Sequence, residues 1–309
     1  MAQDRIRVFA PASVANVSCG FDVLGFPIES TGDTIEVSKT EEKGVFIEPI
    51  TGIGELSTNP DKNVCGVVAK AMLKETNTQY GVSIKLTKGI SPGSGLGSSA
   101  ASSAGAAYAI NKLIGEPFTE MQLVEFAMLG EALASGTPHA DNVAPTILGG
   151  FVAIRSYGPL DIIKIPVPEH LYVAVIHPKI ELRTELSRNI LKKQVDLKTA
   201  IKQWGNIAGL ISGLYEQNYE LIGRSLNDYI IEPVRSLLIP GFNEITTAAK
   251  QAGGLGTGIS GSGPSIFALC KGEENAVKAS EAMARIAEEI KIPHETYVST
   301  IAKQGCRII

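Results

Sequence analysis

The sequence predicts an α+β protein of about two domains, and three observations lead to this prediction. The chain has 309 residues, about twice the length of an average domain. Its strand-like and helix-like segments do not alternate regularly, as they would in a doubly wound parallel sheet. Of its 32 glycines, three fall within residues 93–97 and six within residues 253–263. This clustering indicates two special loops, because glycine tolerates positive φ and close backbone approach.

The first half of the chain, residues 1–150, mixes both kinds of element. Apolar and β-branched residues, clustered or alternating with polar ones, predict strands at residues 6–9, 34–39, 45–50 and 82–86. Helices are predicted at residues 62–75, 98–113 and 119–134. Thr119, followed three residues later by Gln122, predicts a capping box at the start of the third helix. The polar residues 135–145 predict a loop.

The second half, residues 151–309, has a different order of predicted strands and helices. Strands are predicted at residues 151–155, 161–165, 171–176, 265–269 and 296–302. Helices are predicted at residues 185–192, 197–215, 219–228, 242–252 and 273–290. We place the boundary between an N-terminal and a C-terminal domain near Gly150, where the order of predicted elements changes.

Composition and charge exclude several classes of protein. The formal net charge is −4, whereas a general nucleic-acid binder carries a basic excess. The chain lacks the apolar run of about 18 residues that a membrane span needs, and its first residues lack the apolar core of a signal peptide. The four cysteines form no C-x-x-C motif, which predicts free thiols in a reducing compartment. We therefore expect a cytoplasmic protein that binds neither nucleic acid nor a membrane.

The first glycine cluster lies between a predicted strand and a predicted helix. Glycines there let backbone N–H groups converge, and the start of the helix adds a partial positive charge. The segment therefore predicts a cradle for phosphate. The chain has no Gly-Lys pair, which excludes a P-loop. Residues 89–93 match G-x-S-x-G, but Pro92 has no N–H to serve as the oxyanion donor of a hydrolase.

The second glycine cluster contains a G-x-G-x-x-G pattern at residues 256–261. A helix is predicted before it and a strand after it, the reverse of the order in a dinucleotide-binding fingerprint. We interpret residues 253–264 as a tight loop that closely approaches a ligand or another loop. A purely structural turn is equally compatible with these residues.

Three segments together resemble the GHMP small-molecule kinases: residues 10–25, 92–103 and 254–264, in the order in which that family has them. Residues 92–103, which contain P-x-x-G-L-G-S-S-A, resemble the family's ATP signature. Residues 10–25 and 130–145 resemble the branch that phosphorylates L-homoserine. Thr184 and Arg188 match its Thr-x-x-x-Arg element.

The resemblance implies an N-terminal domain like that of ribosomal protein S5 and a ferredoxin-like C-terminal domain. It also implies transfer of the γ-phosphoryl group of ATP to the side-chain hydroxyl of L-homoserine, with Mg²⁺ as a cofactor. Ser99 and Glu131 are the implied Mg²⁺ ligands, and Asn142 joins them as a catalytic residue. The implied nucleotide-binding residues are Asn63, Pro92, Gly93, Ser94, Gly95, Leu96, Gly97, Ser98, Ser99, Ala100, Ala101 and Ser102.

The implied acceptor is a zwitterion. Its carboxylate calls for arginine, whose planar fork binds carboxylates bidentately, and Arg188 and Arg235 are the candidates. Its ammonium calls for hydrogen-bond acceptors. The candidates that resemble those of the family are Asn16, Asp22, His139 and Asp141.

The implied alignment places Asn142 where some members of the family have an aspartate base. An amide cannot take up a proton. We therefore hypothesise that the hydroxyl proton passes to the phosphate itself, directly or through water. Two alternatives stay open: a GHMP kinase for mevalonate-type alcohols or sugars, and a non-catalytic binding protein of the same fold. We also expect a homo-oligomer, specifically a dimer.

Overall fold

The computed structural model describes residues 4–180, 182 and 184–309, without the side chains of residues 184–186. Its strands up to residue 165 are β1 (Arg5–Ala15), β2 (Leu24–Thr40), β3 (Val45–Ile47), β4 (Thr51–Gly52), β5 (Gly81–Lys88), β6 (Phe151–Tyr157) and β7 (Leu160–Ile165). The helices of this part are α1 (Val64–Glu75), α2 (Ser98–Leu113), α3 (Glu120–Ser135) and α4 (Val143–Leu148).

The rest of the chain adds five strands and six α-helices in the described residues. The strands are β8 (Leu171–Pro178), β9 (Gly254–Ile259), β10 (Ile266–Lys271), β11 (His294–Thr300) and β12 (Arg307–Ile308). The helices are α5 (Thr184–Asn189), α6 (Leu197–Tyr215), α7 (Tyr219–Ser225), α8 (Glu232–Arg235), α9 (Phe242–Gln251) and α10 (Glu273–Glu289), with a 3₁₀ turn at Ser236–Leu238.

The first sheet has eight strands. Its main path runs β12–β1–β2–β5–β3, β4 also pairs with β5, and β6 joins the other end of β2 and carries β7. Helix α2 packs across β1 and β2. Its small residues permit this close approach, since a Cβ at Gly105 would overlap the side chain of Ile35. The core of this sheet therefore lies under the helix that begins at the first glycine cluster.

The second sheet has four antiparallel strands in the order β11–β8–β10–β9. Helices α9 and α10 pack on it, so this part follows the β-α-β-β-α-β pattern of a ferredoxin-like fold with an enlarged first helical segment. The α+β class is confirmed. Among the described residues, no helix is long and apolar enough to cross a membrane. All four cysteines are free and buried.

The structure corrects three predictions. Gly256 and Gly258 lie inside strand β9 instead of a loop, because they pair with Leu269 and Phe267 of β10. Glycine is needed at both positions, since a side chain would collide with Leu226 or Phe267. Helix α4 begins within the predicted loop 135–145. Strand β12 was not predicted and pairs with β1. The boundary at Gly150 stays a prediction, although strands from both sides of it join the first sheet.

Candidate active site

A cavity of about 1310 Å³ opens between the helices of the first sheet and residues 182–262 of the second half. It has two chemically different parts. The glycine-loop half is lined by Lys88, Pro92, Gly93, Gly95, Gly97, Ser98, Ser99, Ser102 and Glu131. The ion-pair half contains the charged and polar side chains of Asn16, Asp22, His139, Asp141, Asn142, Arg188 and Arg235.

The glycine-loop half is built around three glycines with left-handed backbone. The φ angles are 74° at Gly93, 81° at Gly95 and 65° at Gly97. A Cβ at Gly97 would overlap the hydroxyl of Ser13, and one at Gly95 would collide with the carbonyl of Ser260. A Cβ at Gly93 would meet nothing within 4 Å. Two of the glycines therefore allow close packing, whereas the backbone of Gly93 borders open space.

Helix α2 starts directly after this loop, with Gly97 as its N-cap. Glycine offers no side chain to cap the first N–H groups of the helix, so they remain available for an anion. The hydroxyl of Ser98 donates to the carbonyl of Ile90 at 2.9 Å, which ties the first turn back to the preceding loop. The arrangement suits phosphate, as the sequence predicted.

A buried ion pair supports this turn from below. The ammonium of Lys88 contacts the carboxylate of Asp33, and their side chains are 1% and 0% exposed. Lys88 also donates to the carbonyl of Ser98 at 2.9 Å and to the hydroxyl of Ser102 at 3.0 Å. Asp33 accepts from the backbone N–H of Gly89 at 3.0 Å. All three N–H bonds of the ammonium are thus directed at protein groups.

Glu131 lies on α3 and faces the start of α2. Burial raises the pKa of its carboxyl to about 7, while a hydrogen bond from Ser99 and the charge of Lys88 act in the opposite direction. Its Oε1 atom is buried and has no hydrogen-bond partner among the described residues. An unpartnered carboxylate oxygen beside a serine hydroxyl is chemically suited to a hard divalent cation.

The ion-pair half is organised by Asp22 and Arg188. Nη1 and Nη2 of Arg188 donate to the two carboxylate oxygens of Asp22 at 3.1 and 2.6 Å. The two side chains are 27% and 25% exposed, so the pair borders the cavity. Nδ1 of His139 lies 3.9 Å from Oδ1 of Asp22. Nε of Arg188 is buried without a partner among the described residues.

Arg235 is the more deeply buried arginine, with 2% exposure. It donates from Nε to the carbonyl of Ser187 and from Nη1 to the carbonyl of Gly261, both at 3.1 Å. Its guanidinium lies 5.0 Å from the centre of the Phe21 ring. Burial, followed by the charge of Arg188, lowers the pKa of Arg235 to about 10. The group is therefore still a cation at neutral pH.

The turn between β1 and β2 brings Asp22 to the site. Asn16, Val17 and Ser18 all have positive φ, at 69°, 43° and 59°, which is strained for a β-branched residue such as valine. The Asn16 amide donates to the carbonyl of Gly261 at 2.6 Å and accepts from the N–H of Asp22 at 2.9 Å. Asn16 therefore joins the strained turn to the loop after β9.

Residues 139–142 enter the cavity before α4. Burial, then the charges of Asp22 and Glu131, raises the pKa of Asp141 to about 7. Burial lowers the pKa of His139. The hydroxyl of Ser13 donates to Oδ1 of Asn142 at 2.8 Å.

Asn63 lines the cavity and also caps α1. Its Oδ1 accepts from the N–H of Cys65 at 2.9 Å, and its Nδ2 donates to the carbonyl of Ser57 at 2.8 Å. Both contacts belong to the start of a helix, so the visible role of this side chain is structural.

The structure gathers most of the predicted residues around one cavity. The predicted residues whose side chains are buried and do not line it are Ser94, Leu96, Ala100 and Ala101. They lie on the inner side of the loop and helix, where they pack against the sheet. For these four, only the backbone is left to contact a ligand.

Sequence reasoning missed Lys88, Asp33 and Ser13. The first two carried a usable signal. Val82, Ile84 and Leu86 define the buried face of β5, and Lys88 continues it with the same period of two. Asp33 likewise precedes the inward-facing Ile35 of β2. A lysine and an aspartate on apolar faces are expected to pair.

Comparisons with known proteins show which family the chain is similar to. The family models described as "GHMP kinases N terminal domain" and "GHMP kinases C terminal" match residues 63–150 and 210–289. A curated homoserine kinase from Chlorobium phaeobacteroides (strain BS1) is 46% identical over 314 aligned positions, which cover 97% of this chain and 98% of the relative. A homoserine kinase from Methanococcus maripaludis (strain C5) is 43% identical and covers 87% of this chain and 89% of the relative.

Solved structures show the same likeness. The crystal structure of homoserine kinase from Cytophaga hutchinsonii superposes with a TM-score of 0.97 at 50% identity, and the match covers 100% of this chain and 98% of that one. The mevalonate kinase of L. major superposes with a TM-score of 0.72 at 17% identity, covering 97% and 99% of the two chains. The second likeness concerns the fold alone.

Proposed function

Because this chain belongs to the GHMP kinases, and within them to the homoserine kinases, we propose that its cavity holds ATP in the glycine-loop half and L-homoserine in the ion-pair half. The enzyme transfers the γ-phosphoryl group of ATP to the side-chain hydroxyl of L-homoserine and gives O-phospho-L-homoserine, a step of threonine biosynthesis. The observation that carries the substrate assignment is the pairing of Arg188 with Asp22 at the cavity wall.

A zwitterion matches the ion-pair half, because its carboxylate can replace Asp22 as the partner of Arg188 and its ammonium can replace Arg188 as the partner of Asp22. The carboxylate of homoserine would take the guanidinium groups of Arg188 and Arg235, which bind carboxylates through parallel hydrogen bonds. The ammonium would take Asp22 and Asp141, with the ring of His139 beside them. A neutral sugar has no charged group to exchange with the Arg188–Asp22 pair, so it would gain no ionic contact from these residues.

In the glycine-loop half, the start of α2 and the backbone of Gly93 would hold the phosphates of ATP. Ser99 and Glu131 would hold Mg²⁺, since the free Oε1 of Glu131 and the Ser99 hydroxyl are the oxygen ligands that this ion prefers. When bound, Mg²⁺ neutralises charge on the phosphates. Ser98, whose hydroxyl is bonded to Ile90, would contribute its backbone N–H.

The transfer itself breaks the bond between the γ-phosphorus and the oxygen of ADP and forms a bond to the homoserine oxygen. Asn142 stands at the acceptor side of the cavity and cannot accept a proton. The hydroxyl proton would pass to an oxygen of the transferred phosphate, directly or through water. We therefore expect Asn142→Asp to add a titrating group to the pH dependence of kcat that the parent lacks, and Asn142→Ala to add none.

An ADP-release assay tests the proposal. The purified enzyme is given homoserine, mevalonate, galactose or shikimate, each with and without Mg²⁺. We expect turnover with homoserine alone and its loss after chelation. Turnover confined to an alcohol without an amino-acid group would contradict the substrate assignment. Binding of ATP without turnover on any acceptor would favour a non-catalytic protein.

We also propose that the enzyme acts as a cytoplasmic homodimer. The reduced, buried cysteines suit a reducing compartment. Leu197, Ile201 and Trp204 form an exposed apolar stripe on α6, with 64%, 55% and 59% exposure, and we assign this stripe to the second copy of the chain. Light scattering should give twice the monomer mass of 32.7 kDa, and Trp204→Glu should reduce it to the monomer mass. A monomeric parent would contradict the dimer.

A further inference from the structure

Ser13 joins two segments that meet beside the phosphate loop. It lies near the end of β1, is completely buried, and its hydroxyl donates to Oδ1 of Asn142 at 2.8 Å across 129 residues of chain. Its backbone N–H donates to the carbonyl of Leu96 at 3.1 Å. Gly97 leaves room for this junction, because a Cβ there would collide with both side chains.

In the structure, this hydrogen bond holds the Asn142 amide with its oxygen towards Ser13. Oδ1 is directed at Ser13, so the Nδ2 group is directed away from it. Asn142 lines the cavity, and within the described part of the chain no hydrogen bond from Nδ2 is observed. The amide therefore presents two N–H donors to the cavity and keeps its acceptor turned inward.

We infer that Ser13 is a positioning residue, which holds Asn142 with its amide N–H group aimed at the phosphoryl group during transfer. This inference rests on the proposed function. It assigns to Asn142 the role of a donor instead of an acceptor, and it assigns to Ser13 the task of holding the Asn142 side chain in place, while the negative charge of the phosphate favours the orientation with Nδ2 towards the cavity. Both side chains are neutral, so the junction stays intact over the whole working pH range.

The chemistry of the transfer favours the phosphoryl oxygen as the partner of Nδ2. Negative charge is spread over the equatorial oxygens of the transferred group in the transition state. A preorganised donor aimed at such an oxygen stabilises the transition state more than the ground state. The same donor placed on the acceptor hydroxyl would withdraw electrons from the nucleophile. A rotated amide would direct Oδ1 at the phosphate and repel it.

A double-mutant cycle tests this inference. Steady-state kinetics are measured for the parent, Ser13→Ala, Asn142→Ala and the double variant. We expect Ser13→Ala to lower kcat about tenfold, as for the loss of one hydrogen bond, with the KM for ATP and for homoserine changed less than threefold. In the Asn142→Ala background, Ser13→Ala should lower kcat less than twofold, because Ser13 acts only through Asn142.

Two further variants separate positioning from general damage. Ser13→Thr keeps the hydroxyl and should recover most of the kcat lost in Ser13→Ala. Ser299→Ala is the matched control, since Ser299 is also buried and its hydroxyl accepts from Glu29 and donates to Thr300, outside the cavity. It should leave kcat within twofold of the parent. The melting temperature of every variant is recorded, and only variants within a few degrees of the parent are compared.

An equal loss of kcat from Ser13→Ala in both backgrounds would overturn the inference, as would an unchanged kcat in Ser13→Ala. Failure of the proposed function would show differently, as absence of homoserine turnover in the parent. In that case the same double-mutant cycle is measured with the alcohol that the parent does phosphorylate, or with the slow hydrolysis of ATP by the parent. The outcomes named above then support or overturn the role of Ser13 in the same way.

Discussion

The two ends of the cavity each contain an ion pair, and the two pairs differ in what surrounds them. Lys88 and Asp33 are sealed beneath the phosphate loop, with 1% and 0% exposure. Arg188 and Asp22 border the cavity, with 27% and 25% exposure. The first pair has protein partners for all of its ammonium protons. In the second pair, the buried Nε–H of Arg188 has no partner within the part of the chain that the structure describes.

The difference separates a structural pair from a binding pair. A buried pair is costly to break because the remaining charge loses its partner in a medium where water cannot replace it. A pair at a cavity wall can exchange partners with a ligand that carries the same two charges. We therefore expect substitutions in the first pair to affect folding, and substitutions in the second to affect substrate binding.

The largest expected effect belongs to Lys88→Met. It leaves Asp33 buried and unpaired, which we expect to lower the free energy of unfolding by about 3–5 kcal/mol. Denaturant unfolding measures this loss. Lys88→Met combined with Asp33→Asn should recover part of it, since no unpaired charge remains. Lys112→Met, which breaks an exposed pair with Glu116, should cost less than about 1 kcal/mol. Equal losses of unfolding free energy from Lys88→Met and Lys112→Met would contradict the prediction that the buried pair is more costly to break than an exposed one.

Arg188→Met should have the second-largest effect, on binding. We expect the KM for homoserine to rise about 100-fold, equivalent to nearly 3 kcal/mol, because a carboxylate loses a bidentate partner. The KM for ATP and the melting temperature should change little. Arg224→Met, at an exposed pair on α7, serves as the control. A fall in stability with an unchanged KM for homoserine would place Arg188 among the structural residues.

The pH dependence of substrate binding gives a smaller effect. Burial raises the pKa of Asp141 to about 7, so the carboxylate that would meet the ammonium is protonated below that pH. We expect the KM for homoserine to rise about fourfold as the pH falls from about 8 to 6.5, as for a single group of this pKa. Steady-state kinetics over this range measure it. The same variation in Asp141→Asn would assign the titration to another group.

Gly93→Ala should have the smallest effect. The residue has positive φ but open space around its Cβ position, so the cost is the backbone strain of about 1 kcal/mol. Thermal unfolding measures it. Gly97→Ala has the same backbone strain and in addition collides with Ser13, so it should cost several times more. Similar losses at the two positions would show that packing around the loop matters less than its backbone conformation.

Much of the fold could be predicted because its elements are marked locally. The capping box of Thr119 and Gln122 is present at the start of α3, and α6 spans the predicted residues. Strand β12 could not be predicted, since two residues carry no periodicity and its partner β1 is almost 300 residues away. The extent of β9 was missed because glycine is rare in strands, and close packing against Leu226 overrides that preference.

The site could be predicted as a set of residues but not as a set of contacts. The resemblance to a family supplied residues such as Glu131 and Arg188, and both line the cavity. It could not show that Arg188 pairs with Asp22, because the two residues are 166 positions apart in the sequence and meet only in the folded protein. The hydrogen bond between Ser13 and Asn142 was hidden for the same reason.

The pairing of β12 with β1 has a consequence for synthesis. Strand β1 is synthesised almost 300 residues before β12, so it obtains this outer neighbour only when residues 307–308 emerge from the ribosome. During translation, the edge of β1 therefore carries unpaired backbone groups for most of the time that the chain is being made. A pause in synthesis or a truncation before residue 307 would prolong the exposure of an edge that can pair with another nascent chain.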